Sequence, residues 1–343
     1  MTQIRDEKNT YRDHDFIETV DGWLFGVVSD THPPGRILTY LKYIPGKGLW
    51  SRAGITYRRV LASYSTREVM SMLETVRELR PDYLFQDPAT GEEFTYIPVG
   101  NIKRHYRCEE RLRNILRNPG NSVENGCRML VEKLSEKSGV TTGFYGVSGS
   151  ILTELHNPAA DIDLIVYGGR NFWKTVEASE QLQTAENRRH TKNILIKNYQ
   201  SKYPISPEDA EKLAERCVTR GIYRGYFYSL HAVRLLDEIR ESYGDKVYRG
   251  VGIARAVLRV TDASEGIFTP AVYRVEGRTT ENHEVEALTC YDTTFAALLR
   301  EGDTVEAVGK LEKVQDLREN RTYYSLLIGS TKTAGREYIK ITQ

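Results

Sequence analysis

No apolar run in this sequence reaches the roughly 18 residues that a membrane-spanning helix needs, and no stretch has the form of a signal peptide. A cytoplasmic protein with no membrane partner is therefore expected. Cysteine is scarce as well. Cys108, Cys127, Cys217 and Cys290 lie far apart and form no Cys-x-x-Cys pair, which argues against zinc ligation or a disulfide framework and for buried thiols. An excess of charge of one sign is also missing. Lys and Arg number 48 against 47 Asp and Glu, a net charge of +1, so any basic surface for nucleic acid must be local. Phe is sparse at nine residues, whereas Tyr is abundant at 22, suited to amphipathic core positions or to base stacking.

What remains is an ordinary globular composition, 40% hydrophobic and 28% charged, in 343 residues, a length that predicts two or three domains. Residues 1 to 14 are polar and read as a frayed end. Strand patterns follow at Trp23 to Val28, Ile37 to Tyr43 and Gly54 to Val60. Basic and aromatic residues interleave there (Lys42, Tyr43, Lys47, Trp50, Arg52, Tyr57, Arg58, Arg59), a half-exposed basic sheet face or a surface for phosphates. Ser65 and Glu68 form a capping box for a helix over 66–80, and a basic helical segment is expected from Asn101 to Leu116. Asn118-Pro119-Gly120-Asn121 reads as a linker. Asn121 caps a helix that Gly139 ends, residues 171–183 form another, and Ser206-Pro207 starts a third. Between them, Thr184 to Tyr203 is polar and positively charged.

The most informative stretch is YGVSGSILTELHNPAADIDLIVYG at 145–168. Gly149 and Ser150 follow an apolar run, and Asp161-Ile162-Asp163 opens a second one. Alternate residues of a strand share a face, so Asp161 and Asp163 point the same way. Adjacent carboxylates repel unless a cation lies between them, and an oxygen-only pair suits Mg²⁺ together with substrate phosphates. A Gly-Ser turn offers a hydroxyl and backbone N–H groups to phosphate oxygens. A surface strand with two solvated Asp residues is the plain alternative, but both flanks are too apolar for one.

This arrangement resembles the signature of the polymerase-beta-like nucleotidyltransferase superfamily: a Gly-Ser turn, about a dozen residues, then Asp-x-Asp on a strand. The whole chain looks like a family of archaeal predicted nucleotidyltransferases, on His32-Pro33-Pro34-Gly35-Arg36, LKYIP at 41–45, GVSGSILTELHNP at 146–158 and DIDLIVYG at 161–168. Two positions depart from the superfamily pattern: Glu154 stands where a second Gly is usual, and Ala160 where Ser or Thr often precedes the first Asp. A third carboxylate usually comes from a later strand. Tyr226 to Val233 matches it in order but carries Ser229 and His231 on that face, with Asp237 and Asp262 as the nearest carboxylates.

The resemblance implies an α+β fold with a nucleotidyltransferase core. The expected division is an N-terminal α+β domain at 1–118, the core at 119–245, and an OB-like β-barrel at 246–343. The barrel is read from five short strands, and Lys310, Lys313, Arg321, Tyr323 and Tyr324 are its candidate nucleic-acid contacts. The implied activity is metal-dependent transfer of a nucleotidyl group from a nucleoside triphosphate to an acceptor hydroxyl, with RNA or DNA ends among the candidates. Asp161 and Asp163 would hold Mg²⁺ or Mn²⁺, Gly149 and Ser150 the nucleotide, and His231 would be a candidate catalytic group. The alternative is a non-catalytic nucleic-acid-binding protein on a degenerate core.

Overall fold

The computed structural model describes residues 11–61 and 63–343. These form strands β1 (Phe16–Thr19), β2 (Leu24–Val27), β3 (Arg36–Arg52), β4 (Ile55–Arg59), β5 (Leu84–Gln86), β6 (Glu93–Pro98), β7 (Ile102–Tyr106), β8 (Tyr145–Val147) and β9 (Ile162–Tyr167). Further along come β10 (Arg220–Tyr223), β11 (Tyr226–Val233), β12 (Lys246–Asp262), β13 (Ala271–Thr279), β14 (Val285–Cys290), β15 (Thr304–Asp316), β16 (Arg321–Ile328) and β17 (Tyr338–Ile341). The helices are α1 (Thr66–Leu79), α2 (Cys108–Arg117), α3 (Ser122–Ser138), α4 (Gly149–Leu152), α5 (Gly169–Glu180), α6 (Ala185–Lys202) and α7 (Pro207–Arg216). The protein is thus α+β.

The chain divides into two compact units, neither continuous in sequence. The first comprises residues 1–61, 95–188 and 218–240, and the second 62–94, 189–217 and 241–343. The three consecutive segments expected from the sequence do not correspond to these units. The supposed linker at Asn118 is a turn between α2 and α3, tied down because Glu124 accepts from the Gly120 N–H (2.7 Å) and from Arg111 Nη2 (2.6 Å). One apolar cluster explains why the break is not there. Phe16, Leu24, Tyr43, Tyr57 and Tyr106 from the early strands pack with Leu152, Leu155, Ile165, Tyr167 and Val233.

In the first unit, an antiparallel sheet runs in the order β6-β3-β2-β1-β7, with β4 folded back on β3. The expected helix from Asn101 is a strand first. Residues 102–106 pair with β1, Glu18 facing Arg104, and only at Cys108 does α2 begin. Along IKRHY only Tyr106 is buried, while Lys103 and Arg104, which point to opposite faces, both stay exposed. The second sheet has the order β10-β11-β9-β8, with β11 and β9 parallel and the other pairs antiparallel. The run from Tyr223 to Arg234 is not one strand: it contains a two-residue turn, with Arg224 at φ 48° and Gly225 at φ 86°. Helix α5 packs on β9 and β11, and α2 on β8.

In the second unit, β12-β13-β14-β16-β15 close a circuit, because β15 pairs with β12 as well. β14 and β16 are its parallel pair. Along β12, Ala254, Ala256, Leu258 and Val260 alternate inward with period two. The polar segment from Thr184 proves to be α6, whose Leu195 and Tyr199 join Ala210 and Leu213 of α7 in the apolar interior of this barrel. Of the five residues expected to contact nucleic acid, Lys310 is buried and ion-paired with Glu92 and Glu312 (2.6 Å each), and Arg321 pairs with Glu286 and Glu319 (2.7 Å each). Cys108, Cys127 and Cys290 are buried free thiols, and Cys217 is half-buried. No helix among the described residues is long and apolar enough to cross a membrane.

Candidate active site

The site is built on the second sheet of the first unit. Val147 ends β8, and the chain turns through Ser148, whose N–H donates to the Asp163 carbonyl (2.9 Å), into the short helix α4. Gly149 adopts φ 64°, a left-handed conformation that L side chains resist, and a Cβ there would collide with Asp163 Oδ2. Two requirements thus meet at this glycine: the turn needs its conformation, and the carboxylate needs the space. The Ser150 side chain next to it is half-buried.

Asp161 stands just before β9 and Asp163 within it, on the same face. They differ in surroundings. Among the described residues Asp161 makes no hydrogen bond and it is exposed, whereas Asp163 is partly enclosed. Desolvation, and after it the charge of Asp163, push the Asp161 carboxyl above its usual range, against the pull of Arg59 and Arg220. Asp163 behaves oppositely. Desolvation would raise it, but His231, the Ser229 hydroxyl and the charge of Arg220 hold it below the ordinary carboxylate range.

The register explains those partners. In the parallel β11–β9 pair Ser229 lies opposite Asp163, and its Oγ donates to Asp163 Oδ1 (2.7 Å). That Oγ is also 2.8 Å from His231 Nε2. With its single proton committed to Asp163, Ser229 accepts from His231, so the imidazole carries its proton on Nε2. Burial, with His14 alongside, lowers the His231 pKa to about 3, keeping the ring neutral. His231 is thus bonded to Ser229 and, through it, linked to Asp163.

Several site residues were not legible in the sequence. Residues 1–10 of the supposed frayed end lie outside the described residues, but 11–14 are ordered. Arg12 and Asp13 are buried, and Arg12 Nε donates to Asp30 (2.8 Å). His14 has φ 67°, an uncommon conformation for a non-glycine residue. Its ring lies 4.4 Å from that of His231, and its carbonyl accepts from Ser148 Oγ (2.5 Å) and the Cys108 thiol (3.2 Å). Lys42, from the stretch expected to show a basic face, is buried instead. Burial and then Arg59 depress its pKa to about 7, while Asp163 pulls it back up. Asp262 belongs to the second unit, not to this sheet, so the third carboxylate sought in the sequence is absent from the row of Asp163.

As a donor set, Asp161 and Asp163 fit one hard divalent ion that completes its shell with water and phosphate oxygens. Desolvation first, and then the charge of Asp163, raise the Asp161 carboxyl, and such an ion would offset the second of these. Among the described residues, no group of three His, Cys, Asp or Glu is gathered as a metal cage.

Fold and site together define an α+β protein with two discontinuous units and a paired-carboxylate site beside a glycine turn. The chain is 31% identical over 342 residues to the uncharacterized protein MJ1086 of Methanocaldococcus jannaschii, covering 96% of this chain and 98% of that protein. It belongs to the same family as that protein. No family model matches the chain, and no solved structure matches it.

Proposed function

We propose that the protein is a metal-dependent nucleotidyltransferase whose core is the β10-β11-β9-β8 sheet with its helices. The observation that carries this reading is the Gly149 turn packed against Asp163, with Asp161, which makes no hydrogen bond among the described residues, on the same face. Mg²⁺ or Mn²⁺ would be held by Asp161 and Asp163, and would neutralise charge on the triphosphate. Ser150 and the turn at Gly149 would bind phosphate oxygens. Ser229 and His231 keep Asp163 ionised and oriented. An acceptor hydroxyl attacks the α-phosphorus, the bond to the β-phosphate bridging oxygen breaks, and pyrophosphate departs. The acceptor proton passes by way of Asp161 to solvent. Catalysis is then mainly positioning and charge neutralisation. The closed circuit of β12-β13-β14-β16-β15 supports an OB-like barrel as the accompanying module.

The test is incubation with each labelled nucleoside triphosphate, Mg²⁺ or Mn²⁺, and mixed RNA, DNA and protein acceptors. Label transfer that Asp163→Asn abolishes is the expected result. The Ser229 hydroxyl in place of a third carboxylate favours a second reading, a nucleic-acid-binding protein without turnover. Nucleic-acid binding unchanged in Asp163→Asn, with no label transferred in any combination, would establish that reading instead.

A further inference from the structure

The described residues offer several other features: the buried Lys310–Glu92–Glu312 cluster, the exposed Leu49 within β3, and the Arg12, Asp30 and His14 assembly. The first has its charges paired within its own unit. The second is an apolar side chain with nothing to indicate what covers it. The third leads back to the site through His14.

Arg220 lies opposite Ser229 in the antiparallel β10–β11 pair, and Ser229 lies opposite Asp163 in the parallel β11–β9 pair. Directly opposed residues project from the same face, so guanidinium, hydroxyl and carboxylate form one row across three strands. The base of the guanidinium is held: its Nη1 donates to the Thr219 carbonyl (3.3 Å) and hydroxyl (3.1 Å). Thr219 is itself buried, and its carbonyl accepts the Leu230 N–H (2.8 Å), which fixes it to β11. Among the described residues, Nε and Nη2 of Arg220 have no hydrogen-bond partner, which leaves a pair of donors in the planar fork that suits phosphate oxygens.

We infer that Arg220 is a polyphosphate-binding residue of this site, and that its fixed positive charge occupies the place a second metal ion would need, so that the site works with one ion. This rests on the nucleotidyltransferase reading above. A second cation beside Asp163 would require a further carboxylate, yet the neighbouring position is Ser229, whose hydroxyl is bonded on both sides. The second ion would also meet the Arg220 charge, which already acts on both Asp161 and Asp163. A guanidinium supplies lasting charge without ligands, and it requires an anion with several oxygens to use its free donors. The di- or triphosphate end of a nucleotide meets that description.

The full-length protein is titrated with inorganic tripolyphosphate at saturating Mn²⁺, and Mn²⁺ stoichiometry is read by electron paramagnetic resonance. Wild type is expected to bind one Mn²⁺ in the ternary complex. Arg220→Gln should weaken tripolyphosphate about tenfold or more with no loss of Mn²⁺ affinity, since one charge-assisted donor pair is lost while a positive charge beside the carboxylates is removed. Arg220→Lys, which keeps the charge but not the fork, should fall between the two. Thermal melts of both variants exclude misfolding as the cause. Unchanged tripolyphosphate affinity in a folded Arg220→Gln, or two Mn²⁺ per chain in wild type, would overturn the inference while the nucleotidyltransferase reading survives. Wild type that binds neither Mn²⁺ nor tripolyphosphate would overturn both.

Discussion

Gly149 sits at φ 64° with the Asp163 carboxylate filling the space where its side chain would be. Alanine there faces two penalties of different origin. The left-handed conformation costs about 1–2 kcal/mol, and the collision must in addition move Asp163 off the Ser229 hydroxyl. Gly149→Ala is therefore expected to lose Mn²⁺ binding far out of proportion to a modest drop in melting temperature, measured by calorimetry on the same sample. Gly149, Ser150, Asp161 and Asp163 were legible because turn chemistry and period-two alternation are local signals. His14, Lys42 and Arg220 were not. They reach the site through contacts and strand register that only the fold creates, Arg220 through the β10–β11 and β11–β9 pairs, and a single sequence carries no periodicity for register. His231 was found in the right strand, but its part depends on which neighbour takes the Ser229 proton, a matter of three-dimensional contact.

Helix α6 shows how an element can hide in plain sequence. Its Arg188, Arg189, His190, Lys192 and Lys197 mask the few apolar positions, and it is helical because Leu195 and Tyr199 pack into the barrel interior. Its end is pinned by Asp292, which accepts from Lys202 Nζ (2.9 Å), the Tyr203 hydroxyl (2.6 Å), and the Thr294 N–H and hydroxyl (2.9 and 2.6 Å). Burial opposes ionisation of Asp292, but Lys202 and these donors outweigh it and hold its pKa below the ordinary value. A depressed folded-state pKa contributes stability that is complete above the unfolded value, about 3.9 for Asp, and is lost as pH falls through the folded one. Asp292→Asn should cost about 3 kcal/mol in urea unfolding at neutral pH, since it leaves Lys202 unpaired in a buried position. The gap to wild type should narrow below about pH 4. A gap that stays constant down to pH 3 would count against the ion pair as its source. Segment 102–106 is the reverse case: its run of cations resembles a solvated helix, and its pairing with β1 makes it a strand.

At the scale of the molecule, segments cut at the apparent linkers should not fold alone. A 119–245 fragment lacks Phe16, Leu24, Tyr43, Tyr57 and Tyr106, half of the cluster that buries Ile165 and Tyr167. Circular dichroism and amide dispersion are expected to show no cooperative structure. A 246–343 fragment keeps every strand of the barrel circuit but loses Leu195, Tyr199, Ala210 and Leu213 from its interior. It should bind a hydrophobic dye and melt without a sharp transition. A cooperatively folded 119–245 would restore the three-part division.

The backbone passes between the units five times, after residues 61, 94, 188, 217 and 240. During synthesis from the N-terminus, β8 and β9 therefore emerge long before β11, the strand that separates β9 from β10 in the finished sheet. Asp163 stays without its Ser229 partner until residue 229 has left the ribosome, and the barrel closes only when β15 can reach back to β12. The carboxylate site is thus among the last parts of its unit to be assembled, and a nascent chain arrested just before β11 holds both aspartates and Arg220 without the Ser229 hydroxyl, or the strand that joins them in one row.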